Sequence, residues 1–160
     1  MSEIVVEGYL QAVVFNLIDK KTNKKEDYGV SIDQVREIRP LESITKVPNA
    51  KSYVRGVMNL RGMIIPVIDV KEKLGFSSGA ASQKPRILVA DVDGKLTGLL
   101  IDEVDQVMRI PLKEIETNLP GDLESLEYIK GVAKTSGKLI VLLDMQKLLR
   151  YDSSIPQSET

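Results

Sequence analysis

Three features of this 160-residue sequence predict an all-β fold of two small antiparallel barrels lying side by side. Its apolar runs are short and β-branched, turn signals separate them, and one stretch occurs twice. That stretch is 54–70, V-R-G-V-M-N-L-R-G-M-I-I-P-V-I-D-V. Moved along by 75 positions, 54–74 falls on 129–149, and six of the 21 pairs are identical: Gly56/Gly131, Val57/Val132, Gly62/Gly137, Ile65/Ile140, Asp69/Asp144 and Leu74/Leu149. Ordinary residue frequencies would give roughly one or two. A second match lays Tyr28–Ile38 on Thr97–Val107, with Gly29/Gly98, Ile32/Ile101, Asp33/Asp102 and Val35/Val104 in common. Repeats of roughly 70 residues exceed a solenoid unit and read as two lobes. The first covers about 13–76 and the second about 86–143. Closing each sheet on itself hides strand edges that so small a lobe cannot otherwise cover.

The elements follow in order. Residues 1–7 read as a loose lead-in, and Tyr9–Leu17 as a strand alternating around Val13, Phe15 and Leu17. The polar run 19–27 is a loop with solvated lysines. Tyr28–Ile38 reads as one strand, with Val30, Ile32 and Gln34 on one face and Val35 and Glu37 on the other. Prolines 40 and 48 punctuate a loop, and Ser52–Met58 is expected to hold a short helical turn. Asn59-Leu60-Arg61-Gly62 reads as a tight turn, with Gly62 free to take positive φ and Asn59 tolerant of it. That turn presents the Arg61 guanidinium at a rigid bend. Met63–Ile68 is a buried strand whose Pro66 places it near a sheet edge or barrel opening. Asp69–Phe76 suits one or two helical turns, and Ser77–Lys84 links the lobes.

Arg86–Val92 is the next strand, and Val92-Asp93-Gly94-Lys95 a tight hairpin. Leu96–Ile110 continues as strand or strands. Leu112–Gly121 is irregular around a turn of helix at 113–116. Ile129–Val132 and Lys138–Leu143 are the last strands, and Asp144 caps a short helix over about 144–150. Residues 151–160 read as a frayed tail.

Composition narrows the chemistry. Net charge is −1 with both signs interspersed, and aromatics are 4% without tryptophan, so neither nucleic acid nor membrane insertion is expected. The sequence reads as soluble and intracellular, with no 20-residue apolar stretch and no signal segment. Cysteine and histidine are both absent, which excludes thiolate and imidazole metal sites and His-dependent triads. No cofactor is expected.

The repeated stretch also carries a family resemblance. Val54–Val70, with R-G-V-M-N-L-R-G-x-x-I-P-V-I-D, resembles the signature of CheW-type chemotaxis coupling proteins. Val13–Ile38, Gly98–Val107 and Lys130–Leu149 match the rest of the family's pattern, so the likeness spans about 8–150. It implies two five-stranded SH3-like barrels related by a pseudo-twofold. It also implies a non-enzymatic adaptor between the histidine kinase CheA, bound through its regulatory domain, and methyl-accepting chemotaxis receptors. Such an adaptor is cytoplasmic and is recruited to membrane receptor arrays. Carried over residue by residue, the resemblance pairs Glu37 with Arg61 and assigns receptor contact to Val35, Glu37, Arg61, Gly98, Val104 and Val107. A receptor's helical hairpin tip would lie in an apolar trough there. Kinase contact falls on Val47, Val54, Gly56, Val57 and Asn59.

Each residue has a plainer reading beside this one. Arg61 and Glu37 could form an ordinary surface pair. The duplicated glycines could serve backbone geometry, Asp69 and Asp144 could cap helices, and Val35, Val104 and Val107 could be core. A different functional class, a metal-assisted carboxylate hydrolase, would use Asp91, Asp93, Asp102 and Asp105. In a strand, however, Asp102 and Asp105 point to opposite faces.

Overall fold

The computed structural model describes residues 5–6, 8–76, 82–119, 121 and 127–150. Residues 77–81 of the expected linker at 77–84, the tail at 151–160 and most of the lead-in at 1–7 therefore lie outside the described residues. The first half of the chain forms β1 (Val5–Val6), β2 (Tyr9–Ile18), β3 (Lys25–Ser31), β4 (Val35–Pro40), β5 (Val54–Leu60), β6 (Met63–Asp69) and α1 (Val70–Lys73). The second half forms β7 (Arg86–Val92), β8 (Lys95–Ile101), β9 (Glu103–Pro111), β10 (Ile115–Glu116), β11 (Ile129–Thr135), β12 (Lys138–Leu143) and α2 (Met145–Leu148).

These strands make two sheets, and each sheet draws on both repeats. One runs β4-β7-β8-β6-β5, and the other β1-β2-β3-β12-β11-β10 with β9 paired to β2. The expected lobes at 13–76 and 86–143 are thus corrected: the hairpins β2–β3 and β7–β8 are exchanged between the repeats. The exchange replaces a purely antiparallel barrel by one with a parallel pair, β12 with β3 in one sheet and β6 with β8 in the other. Both sheets close. Beyond β4, Thr45 returns to bridge Val57 on β5, and beyond β9 a 3-10 turn leads into β10 on β11. With β9 and β10 as arms of one bent strand and β1 as an appendage, each barrel has five strands. The fold is all-β, with two SH3-like lobes related by the duplication and a short helix at the end. The Leu10 barrel (β2, β3, β9–β12) and the Met58 barrel (β4–β8) are named below for a residue inside each.

Three apolar clusters explain the arrangement. Leu10, Ala12, Val14, Ile110, Ile140 and Leu142 fill one barrel, and Met58, Leu60, Ile65, Val67, Ile87 and Val89 fill the other. Between them lies a shared core with Val13, Phe15 and Leu17 from one sheet and Leu88, Leu99 and Ile101 from the other. Strand β2 is therefore buried on both faces. Each aliphatic side chain sealed in this seam contributes about 1.5–3 kcal/mol relative to exposure, so the barrels do not stand apart.

Several local expectations change. The run Tyr28–Ile38 is not one strand, because Ile32–Gln34 forms a 3-10 turn in which the Val35 amide donates to the Ile32 carbonyl. The chain thereby passes from one barrel to the other. A similar step at Asp102 divides β8 from β9. Ser52–Met58 is mostly strand rather than helical turn, since Val54–Leu60 pairs along β6. Pro66 sits inside the sheet order, but the parallel pairing of β6 to β8 begins only at Val67. At the hairpin tip, the positive φ belongs to Arg61 (48°) and Gly62 (89°), a two-residue turn whose twist suits the flanking strands. Asn59 instead accepts a hydrogen bond from the Gly62 amide at 2.7 Å. Asp69 and Asp144 do cap α1 and α2 through their side chains.

Candidate functional site

Arg61 is held at the β5–β6 tip with its side chain 65% exposed, and its guanidinium forks onto both carboxylate oxygens of Glu37 on β4. The expected pair is present. It joins the two ends of the Met58 barrel's strand order across the barrel's closing side. Two residues missed from sequence extend it: Arg39 donates to Glu37 at 3.2 Å and to Glu42 at 2.5 Å. Their spacing in R-E-I-R-P-L-E carried the signal, since Glu37 and Arg39 share a strand face. Chiefly through the hydrogen bond from Arg61, the Glu37 carboxyl lies below the usual carboxylate range, with burial opposing and Arg39 adding to the shift. The same bond raises the pKa of Arg61.

The remaining expected receptor residues divide by depth. Val104 and Val107 on β9 are exposed, 38% and 55%, on the side of the Leu10 barrel. Val104 also lines a cleft of about 480 Å³ with Ser82, Gln83, Lys84, Arg86 and Glu103. Val35 is half-buried, packed against the seam core and in register with Ala90. Gly98 does not join them. It is buried on β8 between Val89 and Val67, and an added Cβ would meet Ile87 at 3.0 Å. Its missing side chain allows close strand packing inside the barrel.

Of the expected kinase residues, Val54, Gly56, Val57 and Asn59 lie along β5 of the Met58 barrel and Val47 in the loop before it. Val47 and Val54 line a cleft of about 410 Å³ with Ile44, Ala50 and the basic side chains Lys46, Lys51 and Arg55. Val54 is nevertheless part of the seam core. Gly56 is buried at φ +144°, where a Cβ would stand 2.1 Å from the Thr45 carbonyl oxygen. It permits barrel closure and offers no side chain to a partner. Val57 is half-buried and Asn59 exposed.

The four aspartates of the hydrolase alternative are dispersed. Asp91 bonds Arg36 at 2.6 Å, Asp93 forms a turn at φ 54°, and Asp105 bonds Lys138 at 3.2 Å. Asp102 is buried against Lys71 at 3.0 Å. Among the described residues no group of three acidic side chains could hold a metal ion, and each carboxylate above has a structural task.

Comparison with known proteins adds to this geometry. The family model of the CheW-like domain matches residues 13–153. The chemotaxis protein CheW of Rhizobium meliloti (strain 1021) is 32% identical over 136 residues, covering 84% of this chain and 83% of that protein. The CheW of Thermotoga maritima is 35% identical over 118 residues, covering 74% and 77%. The crystal structure of the scaffolding protein TtCheW from Thermoanaerobacter tengcongensis superposes with a TM-score of 0.79 at 33% identity, covering 90% of this chain and 94% of that one.

Proposed function

The chain belongs to the CheW-like family of non-catalytic chemotaxis scaffolds, and on that premise we propose that it couples the histidine kinase CheA to methyl-accepting receptors. One observation carries the reading: the exposed valines lie on β9, which pairs with the β2 strand of the seam core, and the cleft near Val47 includes Val54 of that same core. The exposed valines of β9 suit the apolar side of a receptor's helical hairpin, in the manner of helix-in-groove recognition. Half-buried Val35 and the Glu37–Arg61 fork, on the Met58 barrel, would stiffen the other side of that contact. The basic and apolar cleft near Val47, with Val57 and Asn59, suits the kinase's regulatory domain. Val54 and Gly56 support that face from beneath. An adaptor transmits state only if each partner prefers one arrangement of the shared assembly. It would work in the cytoplasm, drawn to membrane receptor arrays through the receptor.

The test is a split. Val107→Asp should abolish capture of a receptor cytoplasmic fragment and leave binding of the kinase regulatory domain intact. Val57→Asp should do the reverse. The reading fails if the unaltered chain binds neither partner, or if each variant loses both.

A further inference from the structure

The most deeply buried charged pair in the described fold belongs to none of the surfaces above. Lys71 on α1 and Asp102, at the step between β8 and β9, have side chains 2% and 1% exposed and lie 3.0 Å apart. Sealing two charges costs several kcal/mol each, and their attraction offsets this only when further hydrogen bonds complete both groups. Those bonds are present. The Lys71 ammonium donates to the Ile18 carbonyl at 2.8 Å, and the Asp102 carboxylate accepts from the Ile18 amide at 2.7 Å and the Ser82 amide at 3.2 Å. One pair thus ties the end of β2, the helix α1 and the start of β9.

Each side of the pair leads to one docking surface. Asp102 stands two residues before Val104, and its other oxygen holds Ser82, which shares the 480 Å³ cleft with Val104. Lys71 belongs to the single turn of α1, whose cap Asp69 accepts from the Lys71 amide at 3.1 Å. The Asp69 amide donates in turn to the Tyr53 carbonyl at 2.7 Å, and the Lys73 ammonium lies 4.2 Å over the Tyr53 ring. Tyr53 follows Lys51 and Ser52 and precedes Val54, all lining the kinase-side cleft. Hence β9 and the 51–54 segment are joined through one short chain of polar contacts whose centre, Lys71 against Asp102, is buried.

We propose that Lys71 and Asp102 are positioning residues that couple the two docking surfaces, so that occupation of the β9 face changes affinity at the Val47 cleft. The proposal rests on the adaptor reading above. It follows from contact geometry: neither residue reaches solvent, so neither can touch a partner, and any effect on assembly passes through what they hold. Energetic coupling of this kind is a ratio of affinities and is measured as one.

The experiment compares the unaltered full chain with the paired replacement Lys71→Met/Asp102→Asn. That replacement keeps the shape of both side chains and removes both charges together, because removing one alone strands the other. Affinity for the kinase regulatory domain is titrated with and without a saturating receptor cytoplasmic fragment, and circular dichroism checks the fold. The unaltered chain should show a change of about 5-fold or more between the two titrations, within the usual span of allosteric coupling. The paired variant should keep each separate affinity within about 3-fold while the ratio collapses towards one. The conservative variant Lys71→Arg, which keeps a cation against Asp102, should retain the ratio. A paired variant that keeps the full ratio overturns the proposal. So does one that loses either separate affinity, since the pair would then only build a surface. An unaltered chain that binds both partners with no coupling also overturns it. An unaltered chain that binds neither overturns the adaptor reading instead.

Discussion

The two barrels are built alike, and their hairpin tips are not. In the Met58 barrel the β5–β6 turn carries Arg61, which forks onto Glu37 opposite Val89. The same place in the Leu10 barrel holds Ser136 at φ 53°, and the partner position opposite Val14 holds Gln106. No fork can form there. That barrel instead sets Lys138 between Asp105 and Asp27, at 3.2 and 3.7 Å, which holds its ammonium above its ordinary pKa. The helices differ in the same way. Lys71 meets Asp102 in the interior, whereas the matching Gln146 reaches Asp93 at 3.5 Å on the surface. What the duplication keeps is backbone geometry: the bulge at Arg55 and its match at Lys130, the glycines after them, and the capping aspartates. What it changes is charge. The divergent positions are therefore where function is to be sought, because folding alone would be satisfied by either version.

The sharpest way to break the comparison is to delete matching groups from each copy. Lys71→Ala should lower stability by about 3–5 kcal/mol in a denaturant titration, because it leaves the buried Asp102 carboxylate unpaired. Gln146→Ala, on the surface, should stay within about 0.5 kcal/mol. Equal losses would mean that the buried pair is no more than another contact.

A smaller difference is expected at the matching glycines. Gly56→Ala must take φ +144° and drive a methyl into the Thr45 carbonyl, whereas Gly131→Ala meets the Glu116 carbonyl oxygen at 3.0 Å without a positive φ. The costs should be about 2–4 and about 1 kcal/mol in the same titration, from strain and overpacking.

The fork itself contributes function more than stability. Arg61→Ala should leave the unfolding midpoint nearly unchanged, since the guanidinium is solvated, yet impair control of the kinase. Normal activation and inhibition of the kinase by that variant would remove Arg61 from the site. The pair is also pH-dependent, and the sign follows from a folded-state pKa below the ordinary value. The pairing contribution is complete above the usual carboxylate range and is lost as pH falls through the depressed Glu37 pKa. Carboxyl-carbon NMR should show Glu37 titrating below ordinary glutamates and moving back towards them in Arg61→Ala. Retention of Arg39 should keep the return incomplete.

The smallest effect is expected from grafting the fork into the other barrel. Ser136 already occupies the left-handed turn position, so Ser136→Arg with Gln106→Glu should form a pair visible as a depressed glutamate titration. It should alter neither the midpoint nor kinase control. A gain of kinase control would show that the fork acts wherever it stands.

The resemblance in 54–70 pointed to the family and to the Glu37–Arg61 pair, and most turns and caps were legible beside it. These depend on residues within three or four positions of each other: Asp93-Gly94 between paired strands, or Asp144 accepting from the Lys147 amide at 3.1 Å. The site was legible in part. Alternation along β9 could not say whether Val107 faced water, and the motif match could not say that Gly98 and Val54 were sealed inside. Lys71 gave no sign at all, because a lysine in a short polar helix ordinarily points outward.

What the sequence by itself determined was the repertoire of parts: short strands, two-residue turns, capped single-turn helices and their duplication. Only the tertiary structure decided that the repeats exchange hairpins, that β3 and β8 find parallel partners, and that Lys71 lies against Asp102. The first set rests on φ preferences and hydrogen bonds within a few residues, which a linear pattern records. The second rests on burying apolar surface and paired charge between segments far apart in the chain, and that balance exists only once both barrels are closed.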